Sequence, residues 1–536
     1  MNCSVLIRRT RISVSLGSWI IVLGPLLLGL AITPARAQNA NDGFDPNADN
    51  TARALVVQAD GKLVVGGDFA NIVGRSRARL ARLLPDGSLD STFVTTTVSG
   101  TVYALALQGD GKILIGGSFT QVGALARNHV ARLNADGSVD PAFDPNANGD
   151  VYALALQADG KVVLGGFFTA VGGTTHNHIA RLNADSSLDT TFNPNTDNLV
   201  IAMALQADGK LVVGGDFAGI GATALNRIGR LNPDGSPDTT FNPDADGHVL
   251  GLARQTDGKL LLGGDFTAVS GITRNYIARL SVDGSLDTTF DPNANGRVGA
   301  MVQQPDGKLL LGGNFTMVGA TPRNFIARLN ADASLDTVFN PNADGVVNTL
   351  ALQTDGSVVL GGSFTTIGGM ARNHVARLNS NGSVDTTFNQ NANGDADGLA
   401  LQGDGKLVLS GDFTTIGVTP RSHIARLSLP QAALQSLTLS GNVVTWLRSG
   451  TSPEVALPPQ LLFSLDGAAY VSLGLMKRIS GGWRYGPLAL PAVGQTFYLR
   501  ARGQLSSGIF NGSQGWVESA RQLYNSGDFI FANGFE

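Results

Sequence analysis

Cysteine is almost absent. The one thiol, Cys3, lies near the start of the chain, so no disulfide framework is available. Glutamate is nearly as scarce: of 42 acidic residues only Glu454, Glu518 and Glu536 are glutamates. Aspartate favours turns and glutamate favours helices, so the skew excludes a helical protein and signals turns. Charged residues make up 15% of the chain, below the usual quarter, while glycine is abundant at 69 residues. Beyond the first 32 residues no apolar run is long enough to span a membrane as a helix.

The first residues read as an export signal. Arg8, Arg9 and Arg11 form a basic region, an apolar stretch follows, and Ala35-Arg36-Ala37 supplies a small-residue cleavage pattern. The expected segment is 1–37, cut between Ala37 and Gln38. An uncleaved membrane anchor is the alternative. Cleavage removes Cys3 and four arginines but no acid, taking the formal net charge from −4 to −8. An acidic surface repels nucleic acid, so that partner is excluded. The expected location is secreted, extracellular or on the cell surface, with the periplasm as an alternative, and the expected state is a monomer.

A repeat dominates residues 42–428. Asp-Gly pairs recur at Asp60, Asp110, Asp159, Asp208, Asp257, Asp306, Asp355 and Asp404, at steps of 50 and then 49. A phenylalanine after each double glycine (Phe69 to Phe413) and a second phenylalanine (Phe44 to Phe388) keep the same beat. In one unit VYALALQ and KILIGGSF are apolar on both faces and read as buried strands joined by a tight Asp-Gly turn. HVARLN is a third strand, and DPAFDP a short fourth whose proline suits an edge. Four antiparallel strands per unit, repeated, predict an all-β fold: an eight-bladed β-propeller. A solenoid is the rival, but it needs capping repeats. The last unit stops at SHIARLSLP without its fourth strand, and QNANDGFDPNADN near the start is the missing piece. The expectation is a ring closed by the segment around Phe44.

The pattern Q-x-D-G-K-h-h-h-G-G-x-F…h-A-R-L-N-x-D-G-S-h-D-x-x-F (h apolar) resembles the bacterial delta-60 repeat of exported proteins. The resemblance implies a propeller fold and export, and no defined chemistry. Residues 431–525 read instead as a small β-sandwich, similar to fibronectin-type modules near FYLRARG. Trp446, Trp483 and Trp516, with Tyr470, Tyr485, Tyr498 and Tyr524, are expected to form its core with a few exposed rings, a sugar platform being the alternative. The tail 526–536, GDFIFANGFE, is either a sorting tag or a last edge strand.

The chemistry is sparse. FDPNANGD (143–150) has the opening of a calcium loop, D-x-N-x-N-G. Its first position is Asn in four of the seven related loops, and no copy has a full ligand set, so the reading is an inter-unit turn, with calcium as the alternative and no other cofactor. The A/G-R-L arginines (Arg82 to Arg426) and the outer-strand aspartates (Asp90 to Asp385) are expected to pair once per unit and staple third strand to fourth. His129, His178, His374 and His423 share one slot and read as dispersed loop-rim residues. His176 offers only a weak two-ligand match with His178. Symmetry breaks one slot along the first strand, filled by Arg53, Tyr103, Tyr152, Ile201, Leu250, Gly299, Asn348 and Asp397. It breaks again where Arg254 and Gln303 replace an apolar residue. From these, Arg53, Tyr103, Tyr152, Arg254, Gln303, Asn348 and Asp397 are the candidate binding residues at a channel mouth. Catalytic motifs such as H-E-x-x-H and G-x-S-x-G are missing. The expected function is noncatalytic binding or scaffolding of a glycan or protein; the alternative is an enzyme acting on extracellular polysaccharide.

Overall fold

The computed structural model describes residues 40, 42–58, 60–94, 97–157, 159–429, 431–455, 457–504, 516–525 and 530–532. The expected export segment, with Ala37 and Gln38, lies outside them. Among the described residues all regular structure is β, with no helix.

Each repeat begins with two buried strands, as in Val102–Leu107 and Ile113–Gly117, and a buried third, Val130–Leu133. The order is third–second–first, antiparallel throughout. The turn between the first two closes because Gly111 adopts φ +86°, open to glycine at no steric cost, and Asp110 Oδ1 accepts the Lys112 amide at 3.1 Å. The fourth segment is contracted to one bridge, Leu133 to Val139, because the chain turns at Asp140, whose Oδ1 accepts the Ala142 amide at 3.0 Å. These are four-stranded units of propeller type with a minimal outer strand. The loop TQVGALARN carries a miniature hairpin that alternation could not reveal, Gln121–Val122 against Leu125–Ala126.

Strands apolar on both faces need cover on both, and adjacent repeats supply it. Ala54, Val56 and Leu80 pack with Leu105, Ile115 and Phe119 of the second repeat. Ala104, Leu114 and Val130 pack in turn with Leu154, Leu164 and Phe168 of the third. Burying one phenylalanine contributes roughly 1.5–3 kcal/mol. The double glycine permits the approach: a Cβ at Gly66 would lie 2.6 Å from Val102 Cγ1 of the next repeat, and one at Gly214 2.7 Å from Val249 Cγ1.

Each repeat keeps its own open three-stranded sheet. Consecutive first strands touch side by side, and Ala52–Val57 touches both Val102–Leu107 and Ala396–Leu401 of the eighth repeat. Phe44 shares a core with Val408 and Ile424 of that repeat, and the Ala48 amide donates to the Ser422 carbonyl at 3.2 Å.

Past residue 431 two sheets share one apolar core that includes Trp446, Trp483, Phe497 and Leu499. Trp446 and Trp483 are buried. One sheet contains a long strand not singled out from sequence, Trp516–Asn525. Ile530–Ala532 of the tail pairs with Leu523–Asn525 as its edge.

Candidate functional site

The repeated charges form a scaffold. The arginine–aspartate contact recurs eight times at 2.6–3.0 Å, from Arg82–Asp90 to Arg377–Asp385. The eighth pair joins Arg426 to Asp42. Seven of these guanidiniums also lie over the following phenylalanine ring at 4.2–4.7 Å, Arg426 over Phe44. The same arginine reaches into the next repeat: Arg181 donates to the Pro233 carbonyl at 2.5 Å, Arg230 to Val282 at 2.6 Å, and Arg426 to Pro85 of the first repeat. Sequence reasoning found the staple within a repeat and missed the bond between repeats. Arg377 departs from the pattern. Its repeat has Ser357 where others carry lysine, and its guanidinium turns to Asp355 and Gln353, at 2.8 and 2.7 Å.

The oxygens of the calcium-like loop are engaged within the fold. Asn148 Oδ1 accepts the Thr169 and Ala170 amides of the next repeat at 2.8 and 2.9 Å. Asn146, at φ +55°, accepts from Asn128, and Asp144 faces Arg127 at 3.5 Å. The histidine slot is not a free loop rim. All eight residues there, Arg79, His129, His178, Arg227, Tyr276, Phe325, His374 and His423, hold φ between +60° and +69°. Each of the four histidines places Nδ1 2.9–3.2 Å from a glycine carbonyl. They stay dispersed, one per repeat. His176 is fully buried with no hydrogen-bond partner for either ring nitrogen. Burial pushes its pKa down, with Asp189 opposing.

The candidate residues divide between two faces. Arg53, Tyr103, Tyr152, Asn348 and Asp397 stand at the start of their first strands, on the face of the crossing loops. Arg254 and Gln303 end theirs, on the Asp-Gly face. Four residues of strand separate the two levels by about 13 Å, so the seven do not form one site. Gln303 Oε1 accepts the Thr256 amide of the preceding repeat at 3.1 Å.

The C-terminal sheets dock on the Asp-Gly face. Glu454 donates its amide to the Leu352 carbonyl at 3.0 Å and Thr354 to Ser452 at 2.9 Å. Val517 lies against Gly403 of the eighth repeat and Arg502 against Gly109 of the second. A cleft of about 450 Å³ remains there, lined by Gln58, Asp60, Gln402, Asp404, Gln435 and Glu518 among others.

On the crossing-loop face two pairs of slot residues touch, with Arg53 between them in repeat order. Asn348 Nδ2 donates to Asp397 Oδ1 at 3.0 Å. Arg53 donates to Asp68 at 2.5 Å and lowers the pKa of Asp397 through space. The Tyr103 and Tyr152 rings lie 5.3 Å apart, tilted by 48°. Asp397 keeps an exposed edge, and partial desolvation of its carboxyl at the start of the strand pushes its pKa above the ordinary range. The bond from Asn348 opposes that rise, and the charges of Asp395 and Asp412 add to it. The Tyr152 phenol is pushed up to about 12 by burial, then by Asp150. Ile201, Leu250 and Gly299 fill the remaining three positions. The rim is therefore polar and aromatic through repeats seven, eight, one, two and three, and apolar through four, five and six.

The stacked repeats define a protein of the β-propeller class. Residues 58–93, 108–143, 157–192, 206–241, 255–290, 304–339, 353–388 and 402–429 match the model of DUF5122, described as a β-propeller domain of unknown function. The matches cover just over half of the chain, which belongs to the DUF5122 β-propeller family. No curated protein matches. Similar solved structures include the C-terminal WD40 domain of Sif2, 12% identical, covering 72% of this chain and 99% of that one, TM-score 0.45. PorZ, a bacterial surface component of the type-IX secretion system of Porphyromonas gingivalis, is 12% identical over 86% of this chain and 64% of its own, TM-score 0.33. The GH74 xyloglucanase from Xanthomonas campestris is 12% identical over 90% and 78%, TM-score 0.26.

Proposed function

We propose that the chain is an exported, noncatalytic binding protein acting outside the cytoplasm as a monomer. Residues 42–428 form an eight-bladed propeller, closed where Asp42 and Phe44 complete the last repeat. Residues 431–525 form a fibronectin-like β-sandwich over the Asp-Gly mouth of its channel, leaving the crossing-loop mouth for a glycan or protein ligand. One observation carries this reading. The repeated arginine–aspartate pairs and the crossing-loop oxygens are committed to the scaffold, whereas the five consecutive rim residues Asn348, Asp397, Arg53, Tyr103 and Tyr152 bring together four different side-chain types. Recognition of one ligand needs unlike groups side by side, which a symmetric ring lacks. The crossing loops serve as turns rather than calcium sites, because their oxygens already accept backbone amides.

Asp397 favours a second reading, an enzyme acting on extracellular polysaccharide, because the charges of Asp395 and Asp412 act on it from nearby and such hydrolysis uses paired carboxyl groups. Surface plasmon resonance decides between them. Polysaccharide and protein fractions of the culture medium are passed over residues 38–536 and over a variant carrying Asn348→Ala, Asp397→Ala and Tyr152→Ala. The binding reading expects a fraction retained by the native chain and lost by an equally stable variant. Equal retention by both overturns the mouth as the site. New reducing ends in the retained fraction establish the enzyme.

A further inference from the structure

The polar and aromatic arc does not stop at the inner rim. In the third repeat Asp150 and Phe167 face each other across the first and second strands. The Asp150 carboxylate accepts from the Tyr152 hydroxyl at 3.3 Å and lies 3.3 Å from His129 Nδ1. Phe167 is 60% exposed and stacks on the His178 ring, with centroids 5.8 Å apart and planes inclined by 29°. Elsewhere this position is Asp, Ser or Asn. The fold gains little from a phenyl ring left mostly in water, since its hydrophobic contribution scales with the area removed from solvent. Two aromatic steps thus lead outward from the mouth: the Tyr103–Tyr152 pair, then Phe167 on His178, with Asp150 between them.

The geometry points to a saccharide chain of at least two sugar units as the ligand of this surface, an assignment that rests on the binding reading above. A pyranose presents an apolar C–H face bordered by hydroxyls that both donate and accept. Tilted, half-exposed tyrosines suit the face, while Asp397, Asn348 and Arg53 beside them offer an acceptor, a mixed group and a donor. An anionic ligand would meet Asp150, Asp395, Asp397 and Asp412, while the charge of Arg53 is answered by Asp68; the paired aromatic rings favour a sugar face over a bare cation, and a cationic ligand is an outcome of the test below. One sugar sits against Tyr103 and Tyr152, and the next lies over Phe167.

Ligand-observed NMR tests this with two panels. The first contains mono- and disaccharides of the cello-, xylo-, manno- and chito- series; the second contains amines, amino acids and short peptides. Two variants borrow residues from sibling repeats, which protects the fold: Tyr152→Ile, as at Ile201, and Phe167→Ser, as at Ser118. The expected result is saccharide binding that Tyr152→Ile weakens by roughly tenfold, the scale of one lost ring contact. Phe167→Ser should weaken the disaccharide and leave the monosaccharide unchanged. Equal loss for both lengths overturns the two-step arrangement, and saccharide binding untouched by Tyr152→Ile overturns the site. Binding confined to the second panel and lost in Tyr152→Ile overturns the saccharide while sparing the mouth. Binding in neither panel overturns both.

Discussion

Arg426 and Asp42 lie 384 positions apart in sequence and 2.6 Å apart in space. Arg426 is almost fully buried, its guanidinium covers the Phe44 ring at 4.4 Å, and it reaches the Pro85 carbonyl of the first repeat. The first described residues thereby supply the eighth repeat with what each other repeat takes from its own outer segment.

Phe44 should therefore weigh as much as an internal phenylalanine. Phe44→Ala and Phe241→Ala each remove a fully buried ring. Both are expected to lose about 3–5 kcal/mol in urea unfolding. A terminal segment that merely rests on the surface would lose far less at Phe44 than at Phe241.

Acid should destabilise the protein steeply. Burial opposes ionisation of Asp90, but hydrogen bonds from Thr92 and pairing with Arg82 prevail and hold its pKa at about 2. Asp189, Asp238 and Asp287 are held below the ordinary range in the same way. A folded pKa below the unfolded one means stability complete above about pH 4 and lost as pH falls through the folded values. Urea midpoints should drop sharply below about pH 4, and Asp238→Asn should flatten the slope by one proton.

His176 has the opposite chemistry and an earlier window. Burial lowers its pKa from 6.5 in the folded state, so the unfolded chain takes up the proton first and stability declines as pH drops below about 6.5. The matching position in the fourth repeat is the buried Leu225. His176→Leu should remove this component, with its advantage over the native chain growing between neutral pH and about pH 5 in thermal melts. A constant difference across that range would show that His176 does not titrate on unfolding.

Periodicity made the scaffold legible. Eight copies of a double glycine, a phenylalanine and an arginine–aspartate spacing reinforce one another, and the pairs stand where spacing placed them. Short ladders such as Gln121–Val122 are too brief to show alternation. Trp516–Asn525 is interrupted by Glu518, Arg521 and Gln522, which hide its strand character. The left-handed slot holds His, Arg, Tyr and Phe rather than glycine, so composition gave no warning of it. Arg254 and Gln303 were separable from the rest by counting four residues along a strand. Phe167 was visible as the one ring in a small-polar column, overshadowed by the conspicuous Phe168 beside it.

A double-mutant cycle on Asp42 and Arg426 tests ring closure most directly. With Asp42→Ala, Arg426→Ala and the double variant, urea unfolding should yield a coupling energy of about 1–3 kcal/mol, equal to that of the internal pair Asp238–Arg230. Coupling near zero at Asp42–Arg426, with the internal pair intact, contradicts closure by the N-terminal segment.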